Sequence, residues 1–152
     1  MAPPGMIALP GEGRVSPALG LATTLMARGE ATGGARDVLD FVMPPGSSLP
    51  PHIHHRTDEA FYVLDGELAV QLGGRAASLP AGALCFVPRG TPHGFGNAGA
   101  VPCRLLLWVT PAFGFERFLA DLEQLPPGPP APEQLLPILQ RYDFEVVLPR
   151  AG

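Results

Sequence analysis

Turn residues punctuate the first 110 residues so densely that only short elements fit between them. Proline occupies 20 and glycine 19 of the 152 positions, and each is costly inside regular structure. The run Asp37–Met43 stops at Pro44-Pro45-Gly46. Phe61–Leu64 and Glu67–Leu72 are joined by Asp65-Gly66, a tight-hairpin signal. Gly73-Gly74 leads into Arg75–Leu79, Pro80-Ala81-Gly82 leads into Ala83–Val87, and Arg104–Thr110 is a long apolar run. A further strand is expected around Leu19–Met26. Short runs with turns at this density predict an all-β chain folded as an antiparallel sandwich or barrel.

The tail changes character. Phe115, Phe118, Leu119 and Leu122 recur at helical spacing, so Phe113–Gln124 is expected to form an amphipathic helix. A second helix is expected over Glu133–Tyr142, with Pro132 at its first turn and Pro137 kinking or shortening it. Phe144–Leu148 reads as a last strand. No internal repeat is visible. The whole chain, 1–152, is therefore read as one domain, with a barrel core over about 19–110 and a helical extension over about 111–152.

Bulk properties exclude several functions. With 46% hydrophobic and 16% charged residues the chain can fold around a core. A net charge of −4 with no basic stripe leaves no footprint for nucleic acid. No apolar run is long enough for a helical membrane span. The start Met1-Ala2-Pro3-Pro4-Gly5 lacks a secretory pattern, so a cytoplasmic location is expected. All ten basic residues are arginine, which excludes lysine Schiff-base chemistry. Cys85 and Cys103 lie apart in apolar runs and are read as buried thiols, with a disulfide as the alternative.

Three of the four histidines fall in Pro51-His52-Ile53-His54-His55, with Glu59 close behind and His93 on a later strand. Alternation in a strand puts His52 and His54 on one face. Together with Glu59 and His93 they make a candidate site for one divalent ion, three nitrogens and one oxygen, which suits Ni, Co, Mn, Fe, Cu or Zn. His55 falls outside the pattern and is expected at the surface or behind the ligands. Arg56 and Asp58 read as rim turn residues.

The spacing around these residues has a known counterpart. Gly46, His52, His54, Glu59 and Gly66, followed by Gly82, Pro88, Gly90, His93 and Asn97, resemble the two motifs of the cupin superfamily at every specified position. The resemblance covers about residues 37–110. It implies a single cupin β-barrel (a double-stranded β-helix, or jelly roll), His52, His54, Glu59 and His93 as metal ligands, and a homodimer. The phrase from Asp58 to Gly66 is similar to bacterial quercetinase-like monocupins. That likeness implies an oxygen-dependent dioxygenase acting on a small enolic or phenolic compound, with Glu59 as both ligand and catalytic base. Alternation places Phe61, Val63 and Phe95 on the interior side, and Phe41, Met43, Leu106 and Trp108 are further candidate walls of a substrate pocket. A non-catalytic binding module, a metal-dependent isomerase or lyase, and a barrel with a purely structural metal remain open alternatives.

Overall fold

Alternation decides the barrel. The computed structural model describes residues 1–148; 149–152, the end of the expected extension, lie outside them. In β3 (Asp37–Met43) Leu39, Phe41 and Met43 are buried, while Val38, Asp40 and Val42 face outward. The same period of two runs through β5 (Asp58–Asp65), β6 (Glu67–Leu72), β8 (Leu84–Val87) and β10 (Cys103–Thr110).

The strands form two sheets with antiparallel pairing throughout. One has the order β1-β2-β3-β10-β5-β8, where β1 is Arg14–Ser16 and β2 is Ala22–Ala27. The other runs β11-β4-β9-β6-β7, where β4 is Ser48–Ile53, β7 is Arg75–Pro80, β9 is His93–Gly96 and β11 is Glu145–Val146. Leu39, Met43, Phe61, Val63, Leu68 and Leu105 are fully buried within one continuous core. The architecture is an all-β jelly-roll barrel.

Two motif residues have local jobs that only they can do. Gly66 sits at φ +78°, and a Cβ there would lie 2.6 Å from the Pro102 carbonyl oxygen, so the hairpin needs glycine. Asn97 is buried. Its Nδ2 donates to the carbonyls of Met43 and Val101, and its Oδ1 accepts the Gly99 amide.

Several elements differ from the reading of the sequence. The early strand begins at Ala22, because Ala18–Gly20 forms a 3-10 turn with Leu19 at φ +58°. The first helix, α1, is Phe115–Leu122. Its start is fixed by the buried Asp37 of β3, whose Oδ2 accepts the amides of Phe113, Gly114 and Phe115 at 3.1–3.3 Å. That strand carboxylate satisfies donors every helix start leaves open. The second, α2, is Pro132–Arg141 and runs through Pro137 without ending. Pro137 lies on the exposed side, while the neighbouring Ile138 and Leu139 are buried and hold the turn in place. Cys85 and Cys103 are buried free thiols, and burial raises the pKa of both.

The outer face of the six-stranded sheet is unusually apolar. Tyr62 and Leu64 on β5 and Leu84 and Phe86 on β8 all point outward, Leu84 and Phe86 with 61% and 56% of their surface exposed.

Candidate metal centre

The two sheets each contribute to one buried cluster. His52 lies on β4 and is the direct register partner of His93 on β9, so the two imidazoles project side by side, ring centres 4.3 Å apart. His54 lies just beyond the end of β4, its ring centre 5.0 Å from His52 and 5.4 Å from His93. Glu59 reaches in from β5 of the opposite sheet. One ligand atom from each of the four lies within 4.8 Å of the others, and all four residues are buried.

Each imidazole is held by its far nitrogen. Nδ1 of His52 donates to the Pro50 carbonyl at 2.8 Å, Nδ1 of His93 to Thr91 at 3.0 Å, and Nδ1 of His54 to Asp143 at 2.8 Å. Donation from Nδ1 leaves the Nε2 lone pair free, the tautomer a metal-binding histidine needs. Nε2 of His54 and of His93 are buried and make no well-aligned hydrogen bond, yet lie 2.8 and 3.4 Å from Glu59 Oε2. Buried polar atoms without partners are rare. These point at a common centre beside an anionic oxygen, and the donor set fits a divalent transition ion.

The electrostatics agree with that fit. Burial depresses the His52 pKa to about 4, with the neighbouring imidazoles adding to the effect and Glu59 partly opposing it. His52 is therefore neutral at ordinary pH. Burial also disfavours the charged form of His54, but the contact and charge of Glu59 outweigh it and raise the pKa. Burial alone would push Glu59 upward; His54 and His93 outweigh it and hold the carboxylate ionised. Without a cation, the carboxylate favours a proton on His54, and a bound ion would take that proton's place.

A cavity of about 120 Å³ opens beside His52 and Glu59. Its barrel walls include Leu39, Phe41, Leu49, Phe95 and Leu107. The far wall is Phe115, Phe118, Leu119 and Leu122 of α1, Leu135 and Leu139 of α2, and Phe144 and Val146 beyond. Among the described residues, Thr23 is the one other lining residue with a polar side chain. Phe144 also packs against two ligand rings, its centre 4.5 Å from His54 and 5.4 Å from His52.

Of the expected pocket residues, Phe41 and Phe95 line this cavity. Met43, Phe61 and Val63 do not; they are fully buried in the barrel core, Phe61 packing against Phe95. Leu106 and Trp108, expected at the pocket wall, lie away from it. They sit on the outer face of β10, whose inward residues are Leu105, Leu107 and Val109. The outward ion pair of Arg104 with Asp40 fixes that parity. Reading the sequence missed the cavity role of α1, whose apolar stripe was visible, and missed Leu107 and Phe144. His55 lies at the surface, its Nε2 bonded to Glu145 at 2.5 Å. Asp58 on the rim accepts hydrogen bonds from the backbone, Nε and Nη2 of Arg89.

Three imidazoles and a carboxylate converging inside an antiparallel jelly roll define a β-barrel protein with a site able to hold one metal ion. The chain belongs to the cupin superfamily, and residues 39–110 match the cupin domain. It is 36% identical over 72 residues to quercetin 2,3-dioxygenase of Bacillus subtilis, covering 47% of this chain and 21% of that protein. It is 33% identical over 69 residues to the tetracenomycin polyketide synthase protein TcmJ of Streptomyces glaucescens, covering 45% and 46%. The chain thus spans less than half the length of these two relatives. Among solved structures, a predicted oxalate decarboxylase of Thermotoga maritima superposes with a TM-score of 0.61 at 27% identity, covering 69% of this chain and 98% of that one. No helix among the described residues is long and apolar enough to cross a membrane.

Proposed function

We propose that this cupin is a metal-dependent dioxygenase that cleaves a small, mostly apolar enol or phenol. The observation that carries the reading is the cavity. Two members of a ligand set fit for a redox-active ion, His52 and Glu59, stand at one wall of a space whose remaining lining is almost wholly apolar. A divalent transition ion held by His52, His54, Glu59 and His93 would supply Lewis-acid chemistry toward an ionised substrate oxygen and one-electron chemistry toward dioxygen.

The residues themselves account for orientation and proton transfer. Phe41, Phe95, Phe118 and Phe144 exclude water and favour a flat apolar body, leaving the polar end toward Glu59. Glu59 is ionised and lines the cavity, so it can take the substrate hydroxyl proton once that hydroxyl comes within about 3 Å. The overall change balances without another reductant. The enol C=C bond breaks, both atoms of one O₂ enter the products, and an acid and a ketone or aldehyde result. The substrate loses four electrons and dioxygen gains them.

Size narrows the substrate. A cavity of about 150 Å³ holds a benzene ring, and this one is about 120 Å³. A small 1,3-dicarbonyl enol suits it and a single phenol ring needs only slight give in the walls, whereas a three-ring flavonol needs α1, α2 and β11 to move aside. The likeness to quercetin 2,3-dioxygenase supports the reaction class rather than that substrate. The test is oxygen uptake by protein loaded in turn with Fe, Mn, Co, Ni and Cu. The expected result is uptake with single-ring phenols or small enols exceeding that with flavonols. No uptake with any metal and substrate would overturn the reading in favour of a binding-only or non-oxidative cupin. That second reading has one observation of its own: apart from Glu59 and the ligand imidazole, no acid–base side chain lines the cavity among the described residues.

A further inference from the structure

The three ligand imidazoles are not held alike. His52 and His93 hydrogen-bond to carbonyls only two residues before them in the chain. His54 instead bonds to the carbonyl of Asp143, 89 positions further along the chain. Asp143 does more than that. Its Oδ1 accepts the His55 amide at 3.0 Å, and its Oδ2 accepts the Arg56 amide at 2.9 Å and the Thr57 hydroxyl at 3.3 Å. One buried residue from the C-terminal segment therefore ties down the whole His54–Thr57 loop between β4 and β5. Two further ties on that loop, the Gly90 amide to the His54 carbonyl at 2.7 Å and His55 Nε2 to Glu145 at 2.5 Å, leave the His54 ring free.

Asp143 can serve both ends because of its backbone. It adopts φ +63°, a left-handed conformation that aspartate tolerates better than most residues. That turn follows α2 and aims the carbonyl at His54 while the side chain reaches the loop amides. Immediately beyond, β11 pairs with the ligand strand β4, placing Val146 opposite His52.

Resting on the metal reading above, we infer that Asp143 is a positioning residue for the metal site, so that metal binding and docking of the C-terminal segment are coupled through His54. Orientation of a ligand histidine by its outer hydrogen bond contributes about 10–100-fold in metal affinity. Coupling is reciprocal: if the docked segment tightens metal binding, bound metal must tighten docking by the same factor. Loss of the Asp143 carboxylate frees the His55–Thr57 loop and the turn that aims the Asp143 carbonyl, so the His54 ring is held less firmly while His52, Glu59 and His93 keep their own supports.

The test uses the full chain and cobalt(II) alone, whose visible absorption reports ligand geometry. Asp143→Ala is expected to bind cobalt about 10–100-fold more weakly than wild type, with an altered spectrum. Asp143→Asn keeps a side-chain oxygen and tolerates the left-handed backbone, and is expected to fall closer to wild type. In wild type, which needs no variant to fold, cobalt is expected to slow amide hydrogen exchange at His55, Arg56 and Val147. Cobalt binding by Asp143→Ala with wild-type affinity and spectrum would overturn the inference, as would cobalt binding to wild type without slower exchange at those amides. Failure of wild type to bind any divalent ion would remove the metal reading itself, and this inference with it.

Discussion

The barrel and the C-terminal segment divide the site between them in different ways. Residues 37–110 supply all four candidate ligands, two of the three outer hydrogen bonds to them, and most of the cavity wall on the sheet side. Residues 115–146 supply no ligand, yet form the opposite wall and hold the third imidazole. The matched cupin domain ends at residue 110. What the site can hold is thus set by the common barrel, and what fits beside it is set by a segment outside the match. A metal reading transfers between relatives more readily than a substrate reading does, for this physical reason.

The largest expected effect tests the barrel's half of that division. His52→Ala and His93→Ala each remove a donor from a four-ligand set and are expected to weaken metal binding at least about 100-fold, beyond the range that outer-shell changes reach. Elemental analysis of dialysed protein measures it. Retention like wild type in both variants would break the assignment.

Next comes the segment's half. Phe118 of α1 is buried and lines the cavity, stacked on Phe144 with ring centres 4.8 Å apart. Phe118→Ala is expected to cost about 3–5 kcal/mol in thermal or denaturant unfolding. Metal affinity should fall far less than in the histidine variants, while the enlarged cavity admits bulkier ligands. A metal affinity as poor as that of His52→Ala would show that the two regions are not separable.

Pro137 gives a smaller effect of opposite sign. It sits inside α2 on the exposed side, where a proline lacks the amide and costs up to about 3 kcal/mol relative to alanine. Pro137→Ala is expected to stabilise the protein by about 1 kcal/mol or more, measured by denaturant midpoint, and to slow exchange in α2. A destabilised variant would mean that the segment is fitted around a bend the proline imposes.

How far each region was legible follows from the kind of constraint acting on it. The four ligands were readable because a metal demands donor types at fixed spacing, and Gly66 because Pro102 leaves no room for a Cβ. The face of α1 was readable from its apolar stripe. The parity of β10 was not. Leu105, Leu106, Leu107 and Trp108 are apolar on both faces, because the outer face of that sheet is itself apolar, so alternation gives no phase until Arg104 is paired with Asp40. Asp143 was illegible for another reason: its partners lie almost ninety positions away, and an aspartate after a helix reads locally as an ordinary turn. The two-residue β11 and three-residue β1 are too short to show any period.

The smallest effects separate the two regions by opposite ends of the pH scale. On the barrel rim, hydrogen bonds from Arg89 lower the Asp58 pKa below its ordinary 3.8. Its contribution to stability is therefore present above about pH 4 and lost as pH falls through the lowered folded value. In the segment, the Tyr142 hydroxyl donates to Asp121 Oδ2 at 2.7 Å, joining the end of α2 to α1, and that bond raises the tyrosine pKa above its ordinary 10.0. Its contribution is present below pH 10 and lost as pH rises through the raised folded value. Both groups are solvent-exposed enough that screening keeps each effect small. Asp58→Asn is expected to lower Tm by no more than about 2 °C at neutral pH and to converge with wild type in acid; Tyr142→Phe should show a similar deficit that closes only in alkali. Melting curves of the three proteins from pH 3 to pH 11 decide it, and a Tyr142→Phe deficit that vanished in acid instead would mean that the α1–α2 junction is held by something other than this hydroxyl.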